Sequence, residues 1–164
     1  MPDLNKIYLF RMTHVENLPH ILKYGITHSS SVNANNNFHP IGDNSIISTR
    51  NAFILDNGKK LGDYIPFYFG TRTPMLFVIQ KGFNMVSSTP ADQIVYCVIS
   101  IQKVLDLGNE FVFTDGHAVD KFSTQYYAQN IAGITSLLDW NAIRSKYWKD
   151  DNDLDKKRKK EAEF

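Results

Sequence analysis

The order of apolar and polar positions along the chain predicts a mixture of short strands and short helices. An apolar and aromatic run at 7–12 predicts a first strand. The next four residues form a Thr-x-x-Glu pattern, in which the side chains of Thr13 and Glu16 are expected to satisfy exposed backbone amides at a helix start. Apolar residues then recur at helical spacing as far as Tyr24, and Gly25 is expected to end this helix.

Later segments continue this mixture without a regular alternation of strands and helices. Residues 27–45 are rich in Ser and Asn and have no apolar period, which predicts a long loop. Pro66 lies inside the aromatic run 62–69, and a proline limits such a run to an edge strand or an extended loop. The pattern further predicts strands at 46–49, 94–100 and 111–115 and helices at 74–81, 102–107, 120–130 and 140–148. Together these elements predict an α+β fold.

The composition limits the class of protein. A chain of 164 residues suits one domain, and 43% hydrophobic residues, with 13% aromatic residues, exclude general disorder. The single cysteine, Cys97, excludes an intramolecular disulfide and a cysteine-rich zinc site, and it fits a reducing compartment. The start of the chain does not resemble a secretory signal, and no apolar run approaches the roughly 20 residues of a membrane span. We therefore expect a cytoplasmic protein without a membrane segment.

The charges do not by themselves indicate a partner. The chain has 18 Lys+Arg against 17 Asp+Glu, so no basic excess points to nucleic acid. Charges separate only near the end of the sequence, where four aspartates within 150–155 precede a basic run at 156–160. This run is interpreted as the solvent-exposed face of a helix.

The spacing of reactive residues argues against several familiar sites. His14 and His20 are six residues apart and point to different helix faces, and no His-Glu-x-x-His pattern occurs, so we expect no dedicated metal site. Patterns typical of serine hydrolases, Rossmann dinucleotide sites and P-loops are also absent. Polar residues at strand ends, such as Arg50 and His117, have ordinary structural explanations as well. Spacing alone therefore describes no single reaction.

Specific strings occur in order along nearly the whole chain: IYLFRMTHVENLPHILKYGI, GDYIPFYFGTRTPMLFVI, EFVFTDGHA, LLDWNAIRSKYW and KKRKKEAEF. Together they resemble the DarT family of DNA ADP-ribosyltransferase toxins, which pair with DarG, a macrodomain antitoxin that removes the modification. The resemblance implies the ADP-ribosyltransferase superfold, with split mixed β-sheets, surrounding helices and a central NAD cleft. It also implies a single ADP-ribosyltransferase domain over 1–164 that lacks its C-terminal strands, because family members continue beyond the last matched string.

The resemblance implies roles for individual residues. Glu163 matches the catalytic glutamate, and Arg50 matches the active-site arginine. Cleavage of the nicotinamide–ribose bond develops positive charge on the sugar, so a carboxylate is expected to stabilise that charge and to take a proton from the incoming base nitrogen. An arginine is expected to hold phosphate oxygens with two parallel hydrogen bonds. The positions that match the NAD pocket are Arg11, Thr13, His14, Asn17, Tyr68, Phe69 and His117.

The substrate implied by the resemblance is single-stranded DNA, modified on a thymine or a guanine, with NAD as co-substrate and no metal. The stretch between 111 and 163 stands where this superfold places its substrate-recognition loop, and its aromatic and basic side chains are expected to stack on bases and contact phosphates. The expected DNA-binding residues are Tyr127, Arg144, Lys146, Tyr147 and Trp148, whereas Trp140 is expected in the core. A DarG-type macrodomain antitoxin is the expected partner, and the chain is expected to be a monomer.

Two alternatives stay open at this point. The same pocket would serve an ADP-ribosyltransferase that acts on protein or on RNA ends, with a different acceptor bound by residues 118–160. A non-catalytic NAD-binding module is the second alternative.

Overall fold

A computed structural model describes residues 2–164. The strands are β1 (Tyr8–His14), β2 (Ile94–Ser100), β3 (Phe113–Thr114) and β4 (Gln125–Tyr126). The α-helices are α1 (Leu18–Tyr24), α2 (Asn44–Ala52), α3 (Pro74–Lys81), α4 (Ile101–Asp106), α5 (Ile134–Leu137), α6 (Trp140–Arg144) and α7 (Lys156–Lys160). Over the described range, no helix combines the length and the apolar composition needed to cross a bilayer. The α+β expectation is therefore confirmed in its element types.

Internal contacts divide the chain into two compact units. Unit 1 contains the residues up to Arg11 together with Pro66–Pro74 and Val98–Phe164. Unit 2 contains Met12–Ile65 and Met75–Cys97. The expectation of one ADP-ribosyltransferase domain over 1–164 stays a prediction.

Backbone pairing in unit 1 is centred on residues 67–69. The N–H and C=O groups of Tyr68 both bond to Phe10 at 2.8 Å, and Tyr68 also pairs with Glu163 on its other side. Of the two alternatives predicted for 62–69, the edge strand is wrong, because Tyr68 is paired on both sides, whereas an extended segment outside any named strand is what the structure has. Pro66 stands just before the paired residues, so its missing N–H removes no hydrogen bond from the pairing.

The chain's last residues continue this pairing. Phe67 and Phe164 exchange two backbone hydrogen bonds of 3.0 and 2.9 Å. On the opposite side, the N–H of Thr114 donates to the C=O of Glu163 at 2.9 Å, and β3 then pairs with β4 in antiparallel register. Glu163 therefore lies on an internal segment of the pairing, where its backbone has little freedom.

Aromatic rings fill the core of unit 1. Phe111 stacks on Phe164 with centroids 4.8 Å apart, and Phe69 meets Phe164 edge-on at 6.0 Å. Trp140 also packs edge-on against Phe69, at 5.7 Å, which confirms its predicted place in the core. Such pairs add about 0.5–1.5 kcal/mol each to the free energy gained from burial. The core therefore holds both the segment 67–69 and the C-terminal residues in place.

The first helix begins differently from the prediction. His14, and not Thr13, precedes the helical turn 15–17, and its ring Nδ1 accepts from the N–H of Glu16 at 3.3 Å. Thr13 instead accepts from the side chain of Asn17 at 2.9 Å. Gly25 ends α1 as expected, with a φ of 79° that favours glycine.

Residues 46–49 are helical, so the strand predicted there is wrong. They lie inside α2, whose N-cap Asp43 accepts from the N–H of Ser45 at 2.8 Å and from its hydroxyl at 2.6 Å. The cap satisfies a backbone donor that an isolated helix end leaves unpaired, and it outweighs the weak strand preference of two isoleucines and a threonine. Arg50 therefore lies in the last turn of a helix.

The remaining predictions vary in accuracy. The helix at 74–81 and the strand at 94–100 are confirmed at their stated bounds, and α4 starts one residue before the predicted helix. The helix predicted at 120–130 is wrong, because this stretch contains β4 and then a tight 3-10 turn. Helix 140–148 is confirmed only in its first half, as α6.

The basic run 156–160 forms α7, but it is not a uniformly solvated face. Lys160 is only 1% exposed, and its ammonium donates to the carbonyls of Ile143 (3.1 Å) and Ser145 at the end of α6. Burial lowers the pKa of Lys160, and the nearby cations Arg72 and Lys156 act in the same direction. The ammonium of Lys160 therefore bonds to carbonyls at the end of α6, and not to solvent as the sequence pattern predicts.

The N-cap of α2 provides a test of the fold. Asp43→Ala is expected to lower the free energy of unfolding by about 1 kcal/mol, whereas Asp43→Asn, which keeps an acceptor, is expected to cost only a few tenths. Urea unfolding at neutral pH measures both, with the exposed acid variant Asp151→Ala as control. Equal losses for Ala and Asn would contradict the described cap.

The same carboxylate has a defined pH dependence. Hydrogen bonding from Ser45 holds the pKa of Asp43 below its ordinary value of 3.8. A group whose folded-state pKa is depressed stabilises the fold above its unfolded pKa, and this contribution disappears as the pH falls through the folded value. The difference between wild type and Asp43→Ala is therefore expected to shrink below about pH 4.

Candidate active site

Glu163 is a buried carboxylate in unit 1 with donors arranged around one oxygen. The residue is 4% exposed, and its Oε1 accepts from the backbone N–H of Ala118 at 3.1 Å and contacts His117 Nδ1 at 3.1 Å. Removing a carboxylate from water is costly unless hydrogen bonds replace the lost hydration. These two donors supply that replacement and define the direction of the carboxylate.

A short turn after β3 brings both donors to the carboxylate. Thr114 pairs with the backbone of Glu163, and its hydroxyl donates to the carbonyl of Gly116 at 2.7 Å. His117 and Ala118 follow at once in the chain, so the turn sets their distance from Glu163. A buried carboxylate held in this way can accept a hydrogen bond from a sugar hydroxyl or accept a proton.

The other candidate residues of unit 1 differ in burial. Arg11 donates from Nη1 to the carbonyl of Pro66 at 2.9 Å, which ties β1 to the segment before the central pairing. Tyr68 is half-buried and pairs directly with Glu163. Phe69 is 4% exposed and belongs to the aromatic core. The assignment of these three residues to an NAD pocket stays a prediction.

A second polar cluster lies in unit 2 around Asn17, which is 1% exposed. Its Nδ2 donates to Thr13 Oγ1 at 2.9 Å and to the carbonyl of His39 at 2.8 Å. Its Oδ1 accepts from the N–H of His39 at 2.8 Å. One amide therefore holds the long loop at His39 through both backbone groups of that residue, and it also orients the hydroxyl of Thr13.

His14 and His39 stack in the same cluster, with ring centroids 3.8 Å apart and an interplanar angle of 9°. His14 is 4% exposed, its Nε2 contacts Gln93 Oε1 at 3.2 Å, and His39 Nδ1 contacts Glu16 Oε2 at 3.0 Å. Nitrogen and oxygen atoms of His14, Glu16 and His39 lie within 4.8 Å of one another. A metal lies in the plane of each imidazole that binds it, and two stacked parallel rings do not share such a position. The absence of a metal stays a prediction.

Arg50 lies in the last turn of α2 and is half-buried. Its predicted role as the active-site arginine is not decided by this position and stays a prediction.

The expected DNA-binding residues lie in unit 1, mainly in and after α6. Arg144 and Lys146 are exposed; the guanidinium of Arg144 lies 5.3 Å from the ring of Trp140, and Lys146 Nζ lies 5.2 Å from the ring of Tyr147. Tyr147 is 63% exposed. Trp148 and Tyr127 are half-buried, and the hydroxyl of Tyr127 donates to Gln125. The structure thus places exposed cations beside aromatic rings.

A cavity of about 670 Å³ opens beside these residues in unit 1. Its lining combines aromatic rings and cations, among them Tyr8, Phe10, Phe69, Trp140, Lys6, Arg72, Arg144 and Lys160. Within the described residues, neither Glu163 nor His117 contributes to this lining. The cavity is therefore a basic and aromatic surface separate from the carboxylate.

The sequence prediction did not include several groups that bond to Glu163 or to the polar cluster around Asn17. The N–H of Ala118 bonds to Glu163, but a backbone donor carries no signal in its residue type. His39 and Gln93 contact the cluster of unit 2 from distant parts of the chain. The only sequence signal for the Asn-rich loop around His39 is its length, which is typical of functional loops.

The family model described as "ssDNA thymidine ADP-ribosyltransferase, DarT" matches residues 10–164. A DNA ADP-ribosyl transferase of Thermus sp. (strain 2.9) is 34% identical over 160 residues, which cover 95% of this chain and 72% of that protein. A DNA ADP-ribosyl transferase–DNA ADP-ribosyl glycohydrolase fusion protein of Thermosipho africanus (strain H17ap60334) is 29% identical over 146 residues, 88% of this chain and 35% of that protein.

Two solved structures of Thermus sp. 2.9 DarT are also similar. The complex with ADP-ribosylated ssDNA has a TM-score of 0.78 and 32% identity over 96% of this chain and 73% of that one. The complex with NAD+ has a TM-score of 0.73 and 30% identity over 99% of this chain and 74% of that one. These matches confirm the predicted ADP-ribosyltransferase fold. Together with the family model, they show that the chain belongs to the DarT family of NAD-dependent DNA ADP-ribosyltransferases.

Proposed function

We propose that this protein transfers ADP-ribose from NAD to a thymidine base of single-stranded DNA and releases nicotinamide. The observation that carries the proposal is the buried carboxylate of Glu163, held by His117 and the N–H of Ala118 in a chain that matches the family model over residues 10–164. The family description names thymidine, which favours thymine over the guanine that the sequence left open.

Glu163 has two tasks in this reaction. As the bond between ribose and nicotinamide breaks, positive charge develops on the sugar, and a carboxylate that accepts from a ribose hydroxyl stabilises this charge. A ring nitrogen of the base then forms the new bond to the sugar carbon and loses its proton to Glu163. Nicotinamide leaves with the electron pair of the broken bond. His117 and Ala118 keep the carboxylate in one orientation throughout.

The NAD-binding role belongs to the polar residues predicted from the resemblance. Arg50 is the candidate clamp for the phosphate oxygens, because a guanidinium binds such oxygens through two parallel hydrogen bonds. Thr13, His14 and Asn17 supply buried donors and acceptors whose positions are set by their own hydrogen bonds. This chemistry fits a dinucleotide rich in hydroxyl and phosphate oxygens.

DNA binding is assigned to the exposed end of α6 and the basic cavity beside it. Arg144 and Lys146 provide charges for backbone phosphates, and Tyr147 provides an exposed ring for base stacking. Arg144 also lines the cavity, where Arg72 and Lys160 add positive charge. A single strand that follows this surface gains both electrostatic and stacking energy.

The biological setting is a toxin paired with a macrodomain antitoxin that removes the modification. The support is the Thermosipho africanus protein, whose name joins a DNA ADP-ribosyl transferase to a DNA ADP-ribosyl glycohydrolase in one chain. Transfer to a DNA base blocks replication in this proposal.

The first test measures transfer directly. Single-stranded oligonucleotides that differ only in the presence of thymine are incubated with NAD, and mass spectrometry is expected to show the addition of one ADP-ribose where thymine is present. Glu163→Gln is expected to reduce the rate at least ~100-fold, because it removes a positioned base and a charge stabiliser together.

The controls separate this proposal from its alternatives. Asp106→Asn, an exposed acid on α4 in the same unit, is expected to react as the wild type does. Modification of protein or RNA ends without modification of DNA would contradict the proposal. NAD binding without nicotinamide release would instead identify a non-catalytic module.

The second test addresses DNA binding. The double variant Arg144→Ala/Lys146→Ala is expected to weaken binding of a single-stranded oligonucleotide. The negative slope of log K against log salt concentration is expected to become shallower by about 0.7 for each phosphate that the variant no longer binds. Tyr147→Ala is expected to lose about 1–3 kcal/mol of stacking with the slope unchanged.

Fluorescence anisotropy over a salt series measures these effects. Lys103→Ala, which removes an exposed charge from α4, serves as the matched control. A salt slope that is the same in the double variant and the wild type would remove this surface from the proposed DNA path.

A further inference from the structure

The residue that ties the Glu163 turn to the rest of unit 1 is Arg158 on α7, which the sequence pattern assigned to a solvated face. Its side chain is only 13% exposed. The guanidinium bonds to both oxygens of Asp155 at 2.7 Å, a planar two-point contact that fixes its orientation. Hydrogen bonding to Asp155 raises the pKa of Arg158, so the side chain stays charged.

The remaining guanidinium nitrogen reaches the turn after β3. Nη1 of Arg158 donates to Asp115 Oδ1 at 2.9 Å and to Ser123 Oγ at 3.0 Å. Asp115 Oδ1 also accepts from the N–H of Thr124 at 2.9 Å, so one carboxylate oxygen joins both ends of the segment 115–124. The guanidinium therefore closes this segment into a loop.

Both backbone groups of His117 are held by the same assembly. The N–H of His117 donates to the carbonyl of Arg158 at 3.0 Å. The carbonyl of His117 accepts from Ser123 Oγ at 2.8 Å, and that hydroxyl is itself oriented by Arg158. His117 and its neighbour Ala118 in turn contact Oε1 of Glu163. A continuous set of hydrogen bonds thus runs from the guanidinium to the carboxylate.

Gly116 leaves the space in which the arginine lies. A Cβ at this position would lie 2.8 Å from Arg158 Cγ, closer still to its Nη1, and 2.9 Å from Ser123 Oγ. Any side chain there would displace the guanidinium or the hydroxyl. The Asp-Gly-His sequence at 115–117 therefore suits the passage of this arginine as well as the turn.

We propose that Arg158 is a positioning residue for the transfer reaction, which acts through Asp115, Ser123 and His117 to fix the orientation of the Glu163 carboxylate. The proposal rests on the proposed function for its kinetic consequence. Its structural consequence, the placement of Ala118 and His117 beside Glu163, does not depend on that function. A displacement of about 1 Å in a reacting group can cost on the order of a hundredfold in rate.

The kinetic test compares Arg158→Ala, Arg158→Lys and Gly116→Ala with wild type on a thymine-containing oligonucleotide with NAD. Each variant is expected to lower kcat by about tenfold to a hundredfold while KM for NAD and for DNA stays within about twofold. Lysine keeps the charge but lacks the planar fork, so it is not expected to restore the rate. Lys103→Gln is the charge-matched control on α4.

The combination of Arg158→Ala with Gly116→Ala tests whether the two residues act through one contact. Removal of the guanidinium and of Cγ eliminates the two shortest contacts of the new Cβ and leaves only the contact with Ser123 Oγ, so the loss in the double variant is expected to be smaller than the sum of the two single losses. Losses that add in full would contradict the inference that the two residues act through one contact. An Arg158→Lys or Gly116→Ala variant with wild-type kcat would overturn the proposal.

Amide hydrogen exchange without substrates separates this proposal from the proposed function. Exchange at Ala118 and His117 is expected to accelerate at least about tenfold in each variant, while the Tyr68 amide, which bonds to Phe10, keeps its wild-type rate. Unchanged exchange at Ala118 would overturn the inference whatever the activity. If the wild type shows no transferase activity and exchange at Ala118 is nevertheless faster in the variants, the positioning contact is supported and the proposed function is refuted.

Discussion

The burial of one carboxylate is the constraint on which the rest of unit 1 depends. Glu163 lies on an internal segment paired with Thr114 and Tyr68, so its backbone position is fixed and its side chain lies on a buried face. A carboxylate in that position needs donors, because an unsatisfied buried charge costs several kcal/mol. The turn carrying His117 and Ala118 supplies them. Its geometry therefore has to be maintained by contacts outside the turn.

Those contacts come from the charged segment 149–160, whose basic run the sequence pattern assigns to a solvent-exposed helix face. The charged stretch 149–160 forms ion pairs on several sides, with Lys156 bonded to Asp150 and Lys159 near Asp153. These residues are half-buried, and each pair joins residues only six positions apart in the chain. Arg158 differs because its guanidinium, with a side chain only 13% exposed, also bonds to Asp115, which lies 43 residues earlier in the chain. The charged segment thus brings one arginine, largely shielded from solvent, to the turn that carries His117 and Ala118.

In unit 2, a neutral amide, that of Asn17, holds a polar loop in place. The long Ser- and Asn-rich loop has no apolar period with which to anchor itself, and Asn17 holds it by bonding to both backbone groups of His39. An amide can donate and accept at once, which a carboxylate or an ammonium cannot do. The stacked rings of His14 and His39 add apolar contact at the same place. A buried amide therefore gives a polar loop a defined position.

Elements with a strong local pattern were determined by the sequence alone: the strand at 94–100, the helix at 74–81 and the glycine stop after Tyr24 all match the structure. The strings that resemble DarT also identified the fold and pointed to Glu163. Tertiary structure decided what depends on distant partners. It gave residues 67–69 partners on both sides, brought the N–H of Ala118 to the Glu163 carboxylate, and brought Arg158 to the Asp115 carboxylate. Residues 46–49 are helical because of the local cap at Asp43, which the strand prediction did not take into account. The helix and strand propensities of most residue types differ by less than about 1 kcal/mol, so contacts between residues far apart in the chain override them.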